Sequence, residues 1–137
     1  MADGLELEVA TPERRLVREQ VTEVELPGLS GYMGILPGHA PLLGTLGIGH
    51  LSYVSGGRRY FLAVHSGFVE VLNDHVRVLA DAAEPADEID VERARHAERR
   101  GREETMNPPE GVTPEEALAR MQRAEARIEV SEHKQRG

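Results

Sequence analysis

Cysteine is absent from all 137 residues, which excludes a disulfide framework, thiolate catalysis and cysteine-ligated zinc. Tryptophan is also absent and aromatic residues make up only 4% of the chain, so few rings are available for stacking nucleobases or sugars. No run of eighteen apolar residues occurs, and the amino-terminal MADGLELEVATPERR lacks the basic-then-apolar order of a secretory signal; the expectation is a soluble, cytosolic protein. Basic charge is in deficit. Sixteen Lys and Arg stand against 24 Asp and Glu, a formal net charge of −8, which argues against a nucleic-acid footprint and favours a protein partner. Nucleophile-elbow, zincin and phosphate-loop motifs (GxSxG, HExxH, GxxxxGK[ST]) are missing. The six histidines, at 39, 50, 65, 75, 96 and 133, show no close ligand spacing, so neither a catalytic group nor a metal site is expected.

The charges that are present divide the chain. Residues 1–83 carry 6 Arg and 10 Asp or Glu, whereas residues 84–137 carry 9 Arg, 1 Lys and 14 Asp or Glu. Two kinds of structure therefore meet near Glu84. The first part contains short runs rich in Val, Leu, Tyr and Phe: LELEVA (5–10), VTEVELP (21–27), HLSYV (50–54), RYFLAV (59–64), FVEVL (68–72) and VRVLA (76–80). Several alternate with period two, so each strand keeps one face on a core. Ser55-Gly56-Gly57 and Asn73-Asp74 supply residues that tolerate the positive φ of tight hairpins. Evenly spaced strands of this kind predict an antiparallel sandwich or flattened barrel, ending near Asp81.

The second part predicts two helices. DEIDVERARHAERRGREE (87–104) consists of strong helix formers without proline, with Asp87 or Asp90 placed to cap its first turn. Asn107-Pro108-Pro109-Glu110-Gly111 is a loop, and Thr113-Pro114-Glu115-Glu116 is a capping box with proline at the first helical position. The helix that follows runs from Pro114 to about His133, with Ala117, Met121, Ala124 and Ile128 on one stripe. On the preceding helix the stripe is Ala94, Ala97 and Gly101, without a large side chain. Stripes so small bury little apolar area at about 25 cal/mol per Å². The hairpin is thus either a weakly held element that a ligand or partner can move, or simply a solvated charged appendage.

GYMGILPGHAPLL, Gly31 to Leu43, sets three glycines, two prolines and His39 into an apolar run. General acid or base work would need a carboxylate or nucleophile beside His39, and only Ser30 and Tyr32 are local polar companions. His39 therefore reads as a structural or interface residue in a shaped docking loop.

That run, together with SGFVEVLNDHVRVLADAAEPADEIDVERA (66–94), resembles the epsilon-subunit family of the F-type rotary ATP synthases, and the likeness extends along essentially the whole chain. It implies a β-sandwich of about ten strands followed by a two-helix hairpin, which the periodicity reached independently in outline. The division is into a rotor-docking domain, 1–83, and a regulatory hairpin, 84–137. The resemblance also implies a non-catalytic rotor subunit that couples ion flow to ATP synthesis, peripheral on the cytoplasmic face of the plasma membrane and not inserted in it. Its partners would be the gamma subunit and the ring of c subunits, with Tyr32, Met33, Gly34, Pro37, His39 and Pro41 as the docking edge. Tyr32 stands where the family often has an acidic or small polar residue, and the double proline makes the inter-helix loop unusually rigid.

In this family the hairpin lies folded on the sandwich or extends toward the catalytic alpha and beta subunits, where it inhibits ATP hydrolysis. Some bacterial members bind ATP on the folded hairpin through an I(L)DxxRA motif, which Ile89, Asp90, Arg93 and Ala94 match here. Glu84, Arg100 and Arg127 match as well. At helical spacing Ile89, Arg93 and Arg100 share a face, and Arg120, Arg123 and Arg127 line one flank of the second stripe. Arginines from both helices can converge on phosphates while Glu84 or Asp90 takes the adenine amino group; alternatively they pair with the surrounding glutamates. ATP, with or without magnesium, is thus the candidate regulatory ligand, and no cofactor is required. The rival from another class is a stand-alone carbohydrate-binding sandwich, which the missing tryptophan disfavours.

Overall fold

Alternation along Leu5–Ala10 (β1) puts Leu5, Leu7 and Val9 on one face, and all three are completely buried. In the computed structural model, which describes residues 4–134, six more strands follow: Arg15–Val21 (β2), Glu23–Gly28 (β3), Gly31–Ile35 (β4), Leu42–Ser55 (β5), Arg58–Leu72 (β6) and His75–Pro85 (β7). Their order is β2-β1-β7-β6-β5-β3-β4, antiparallel throughout except that β1 runs parallel to β7. Only Thr22 separates β2 from β3, yet these strands lie far apart in that order, so the sheet folds over on itself there. The Thr22 N–H donates to Val54 O at 2.9 Å and the Ser55 hydroxyl donates to Gln20 O at 3.0 Å, closing the two layers. Between them lies a core of Leu, Val and Ile side chains from all seven strands.

The sandwich has seven strands where about ten were expected, because β5 and β6 run on as continuous strands of 14 and 15 residues; three further expectations change in detail. The runs 59–64 and 68–72 belong to one long strand, β6, bent where Ser66 and Gly67 take φ of 58° and 124°. A Cβ on Gly67 would run into the backbone of Leu79 and Ala80, so the bend requires glycine. Strand β2 was not anticipated, and GYMGI, expected as loop, is edge strand β4. The last strand passes Asp81 and continues to Pro85, so Glu84, at the change in composition, pairs with Ala63 inside the sheet. The tight turns at Gly56-Gly57 and Asn73-Asp74 stand as expected, with positive φ at all four residues.

A short 3-10 turn, Ala86–Glu88, precedes the first helix, Val91–Met106 (α1). Of the two candidate caps it is Asp90 that serves: its side chain accepts from the Arg93 N–H at 3.1 Å. Thr113 likewise accepts from the Glu116 N–H at 3.1 Å and starts the second helix, Pro114–Ser131 (α2). The helices lie against each other at Gly101, where an added Cβ would sit 3.1 Å from both N and Cα of Met121. The hairpin rests on the sandwich through α2, which packs on β5, β6 and the 3-10 turn. Its seat is a small cluster of Ala63, Ala86, Ile89 and Val130 with Phe61 packed against it, separate from the main core.

Candidate functional site

Between the helices and the outer face of the sandwich lies a cavity of about 930 Å³. Its sheet side is made by Ala63, Val64 and His65 of β6 and Ala82, Ala83 and Glu84 of β7. Positions three, four and seven apart on α1 bring Arg93, His96, Ala97 and Arg100 to it, with Glu104 one turn further. From α2 come Arg120, Arg123 and Arg127. Arg14, in the turn between β1 and β2, and Glu88 complete the lining. Among the described residues six arginines and three glutamates thus face one space, in a chain whose net charge is −8, which makes the cavity a local basin for anions.

Much of this charge is already organised. Arg127 Nε donates to Glu84 at 3.1 Å, and Glu104 holds both Arg100, at 3.2 Å, and Arg120, at 3.1 Å. Arg14 pairs with Glu88. Arg123 donates to His65 Nε2 at 3.2 Å; burial, with Arg123 beside it, lowers the proton affinity of His65, which keeps the ring neutral and able to accept. Among the described residues the Arg93 guanidinium makes no ion pair. Each of the surrounding pairs is partly exposed and weak enough for a polyanion to exchange partners with it.

Of the residues expected at a nucleotide site, Glu84, Arg93, Arg100, Arg123 and Arg127 come together here. Three others do not line the cavity. Asp90 caps the start of α1, Ala94 is buried, and Ile89 lies in the seat of α2, 3% exposed. Ile89 precedes the helix instead of sharing its face with Arg93, because the chain is still extended at Ile89 and Asp90. Arg14, His65, Glu88, His96 and Glu104 escaped the sequence reading. Only His65 had a signal: FLAV is apolar at every position, as expected of a strand covered on both faces.

The expected docking edge is the outermost strand, β4, with the turn after it. Tyr32 is 51% exposed, and its hydroxyl accepts from the His50 N–H at 3.1 Å while the two rings stack at 4.6 Å. Met33 packs partly on the core, whereas Gly34, Pro37 and Pro41 face outward. The His39 N–H donates to Leu36 O at 3.1 Å, and the Gly38 N–H donates to the Asp74 carboxylate at 2.7 Å, tying this turn to the one between β6 and β7. The His39 Nδ1 donates to the Ala40 carbonyl at 2.6 Å, a structural use of the ring. His50 links this edge to the hairpin: Nε2 is 2.8 Å from Glu25, and Nδ1 lies 3.3 Å from Glu129 of α2. Leu43, Phe68 and Leu79, at 76, 59 and 52% exposure, leave a further apolar stripe uncovered on β5, β6 and β7. Among the described residues no group of acidic or histidine side chains could hold a metal, and no helix is long and apolar enough to cross a membrane.

The family model for the ATP synthase delta/epsilon chain β-sandwich domain matches residues 4–86. The ATP synthase epsilon chain of Solibacter usitatus is 62% identical over 98% of this chain and 100% of that one. One epsilon chain of Syntrophotalea carbinolica is 45% identical over the full length of both. Among solved structures, a chain of the Euglena gracilis mitochondrial ATP synthase superposes with a TM-score of 0.82 at 25% identity, covering 96% of this chain and 82% of that one. A chain from the Tetrahymena thermophila central stalk and c-ring shares the fold, with a TM-score of 0.62 at 13% identity over 93% and 96% of the two chains.

Proposed function

The chain belongs to the ATP synthase delta/epsilon family, and from that premise we propose that it is a non-catalytic central-stalk subunit whose hairpin restrains ATP hydrolysis under the control of ATP. The observation that carries the rotor role is the 62% identity to an epsilon chain along the whole of that relative. The carbohydrate-module alternative receives no support from any of these likenesses.

In this reading the sandwich docks on the gamma subunit and the c-ring, on the cytoplasmic face of the plasma membrane. The supporting features are an exposed edge strand with Tyr32, a turn braced by Gly38 and Asp74, and an uncovered apolar stripe. The hairpin in its docked form gathers arginines from α1 and α2 around one cavity. Released, it would lose that convergence, extend toward alpha and beta, and block hydrolysis. ATP bound to Arg93, Arg100, Arg123 and Arg127 has affinity for the docked state alone and must therefore favour it. At a hundredfold over its Kd it would contribute about 2.7 kcal/mol to docking. Of Glu84 and Asp90, only Glu84 lines the cavity and can take the adenine amino group beside its pair with Arg127, whereas Asp90, occupied as a helix cap, and Ile89, buried under α2, would act by placing α1.

Two measurements test this. A purified gamma subunit should retain the chain in a stable complex, and addition of the chain to the catalytic assembly should slow ATP hydrolysis at low ATP more than at high ATP. Calorimetric titration with magnesium-ATP should show binding that Arg93→Ala abolishes. A chain that ignores gamma would refute the rotor role; a chain that assembles but binds no ATP at millimolar concentration would refute only the ATP control.

A further inference from the structure

All the residues so far assigned to the nucleotide lie on the helices, except Glu84 at the end of β7. Arg14 is different. It belongs to the sandwich, in the turn between β1 and β2, where Thr11 fixes the backbone by accepting from the Glu13 and Arg14 N–H groups at 3.3 and 3.4 Å. Its guanidinium reaches across to Glu88, in the 3-10 turn that leads into α1, and both side chains line the cavity that holds Arg93 and Arg127. The sandwich also orients two arginines of α2, since His65 accepts from Arg123 and Glu84 accepts from Arg127. The cavity is therefore a joint product of the two parts of the chain, with a cation supplied from each.

We propose that Arg14 is a phosphate-binding residue contributed by the sandwich, so that a nucleoside polyphosphate in the cavity is held by sandwich and hairpin together. The proposal rests on the nucleotide reading above and deepens it. Guanidinium presents the same planar fork to a carboxylate and to a phosphate. Glu88 occupies that fork in this structure, and with the two side chains 53% and 48% exposed the pair is cheaply exchanged. A polyphosphate that displaces Glu88 gains a contact that exists only when the hairpin is docked. This couples ligand binding directly to the seam between sandwich and hairpin, beyond any clamping of one helix on the other.

The test is calorimetric titration of the full chain with magnesium-ATP and with inorganic tripolyphosphate, comparing wild type, Arg14→Ala, Glu88→Gln and Arg93→Ala. Loss of a charged hydrogen bond to phosphate predicts binding about tenfold weaker for Arg14→Ala with either ligand. Glu88→Gln breaks the same ion pair but frees Arg14 and removes a repelling charge, so it should tighten binding. Opposite signs for these two variants support a direct contact. Equal weakening by both would make the pair merely structural and overturn the proposal. An unchanged affinity in Arg14→Ala, with Arg93→Ala weakened, would overturn it while the nucleotide reading stands; absence of binding by the wild type would overturn both.

Discussion

The seat of α2 on the sandwich is small enough for one side chain to decide whether the hairpin stays down. Val130 is completely buried there, among Ala63, Ala86 and Ile89, with Phe61 alongside. Val130→Ala removes two methyl groups. At about 0.8 kcal/mol per buried carbon, with a contribution from the cavity left behind, docking should weaken by about 2 kcal/mol. That corresponds to a roughly 30-fold rise in the ratio of released to docked hairpin. The loss falls on docking and spares the sandwich, because the cluster is separate from the main core. The lack of native cysteine lets a single pair of labels be placed cleanly, at the exposed positions Arg58, the first residue of β6, and Glu125 on α2. Pulsed dipolar spectroscopy would then report the released fraction, and thermal melting followed on the strands would report the sandwich. The reasoning fails if the distance distribution is unchanged, or if the sandwich itself melts lower by the same free energy.

Gly101→Val should force α1 and α2 apart, since the new side chain meets the backbone of Met121; overpacking of this kind costs about 1–3 kcal/mol and should appear as loss of the helical signal before the strands melt. Burial and Arg123 hold His65 below the ordinary imidazole value of 6.5, so the docked state binds that proton less readily than the released one. The His65 contribution to docking is therefore constant above pH 6.5 and declines as pH falls below it; the difference between wild type and His65→Gln in the label-distance titration should open only on the acid side. Gly49→Ala would place a methyl group against the Tyr32 hydroxyl and Pro27, displacing Tyr32 from His50; retention by gamma or by the c-ring should weaken while the thermal stability of the sandwich changes little.

Most of the secondary structure was written locally. Leu5, Leu7 and Val9 alternate and face the core; Asn73-Asp74 and Gly56-Gly57 turn with the positive φ they tolerate; Asp90 and Thr113 cap the helices that follow them. Strand β2 was hidden because it is an edge strand. Along RLVREQV only Val17 and Val21 are buried, and Arg15 and Arg18 pair with Glu8 and Glu6 of β1, contacts that have no sequence periodicity. Strand β4 was hidden by its glycines, which carry no alternation. For the candidate site, the spacing along α1 and α2 determined which arginines share a face, a property of a single helix. Which faces meet, and what the sandwich adds, was decided by topology alone. Arg14 and Glu88 are 74 residues apart, and Arg123 and His65 are 58 apart. No pattern within a helix or strand encodes such a pairing. It exists because β2 crosses between the layers at Thr22, β7 delivers the chain to the 3-10 turn, and Val130 seats α2 against the sandwich.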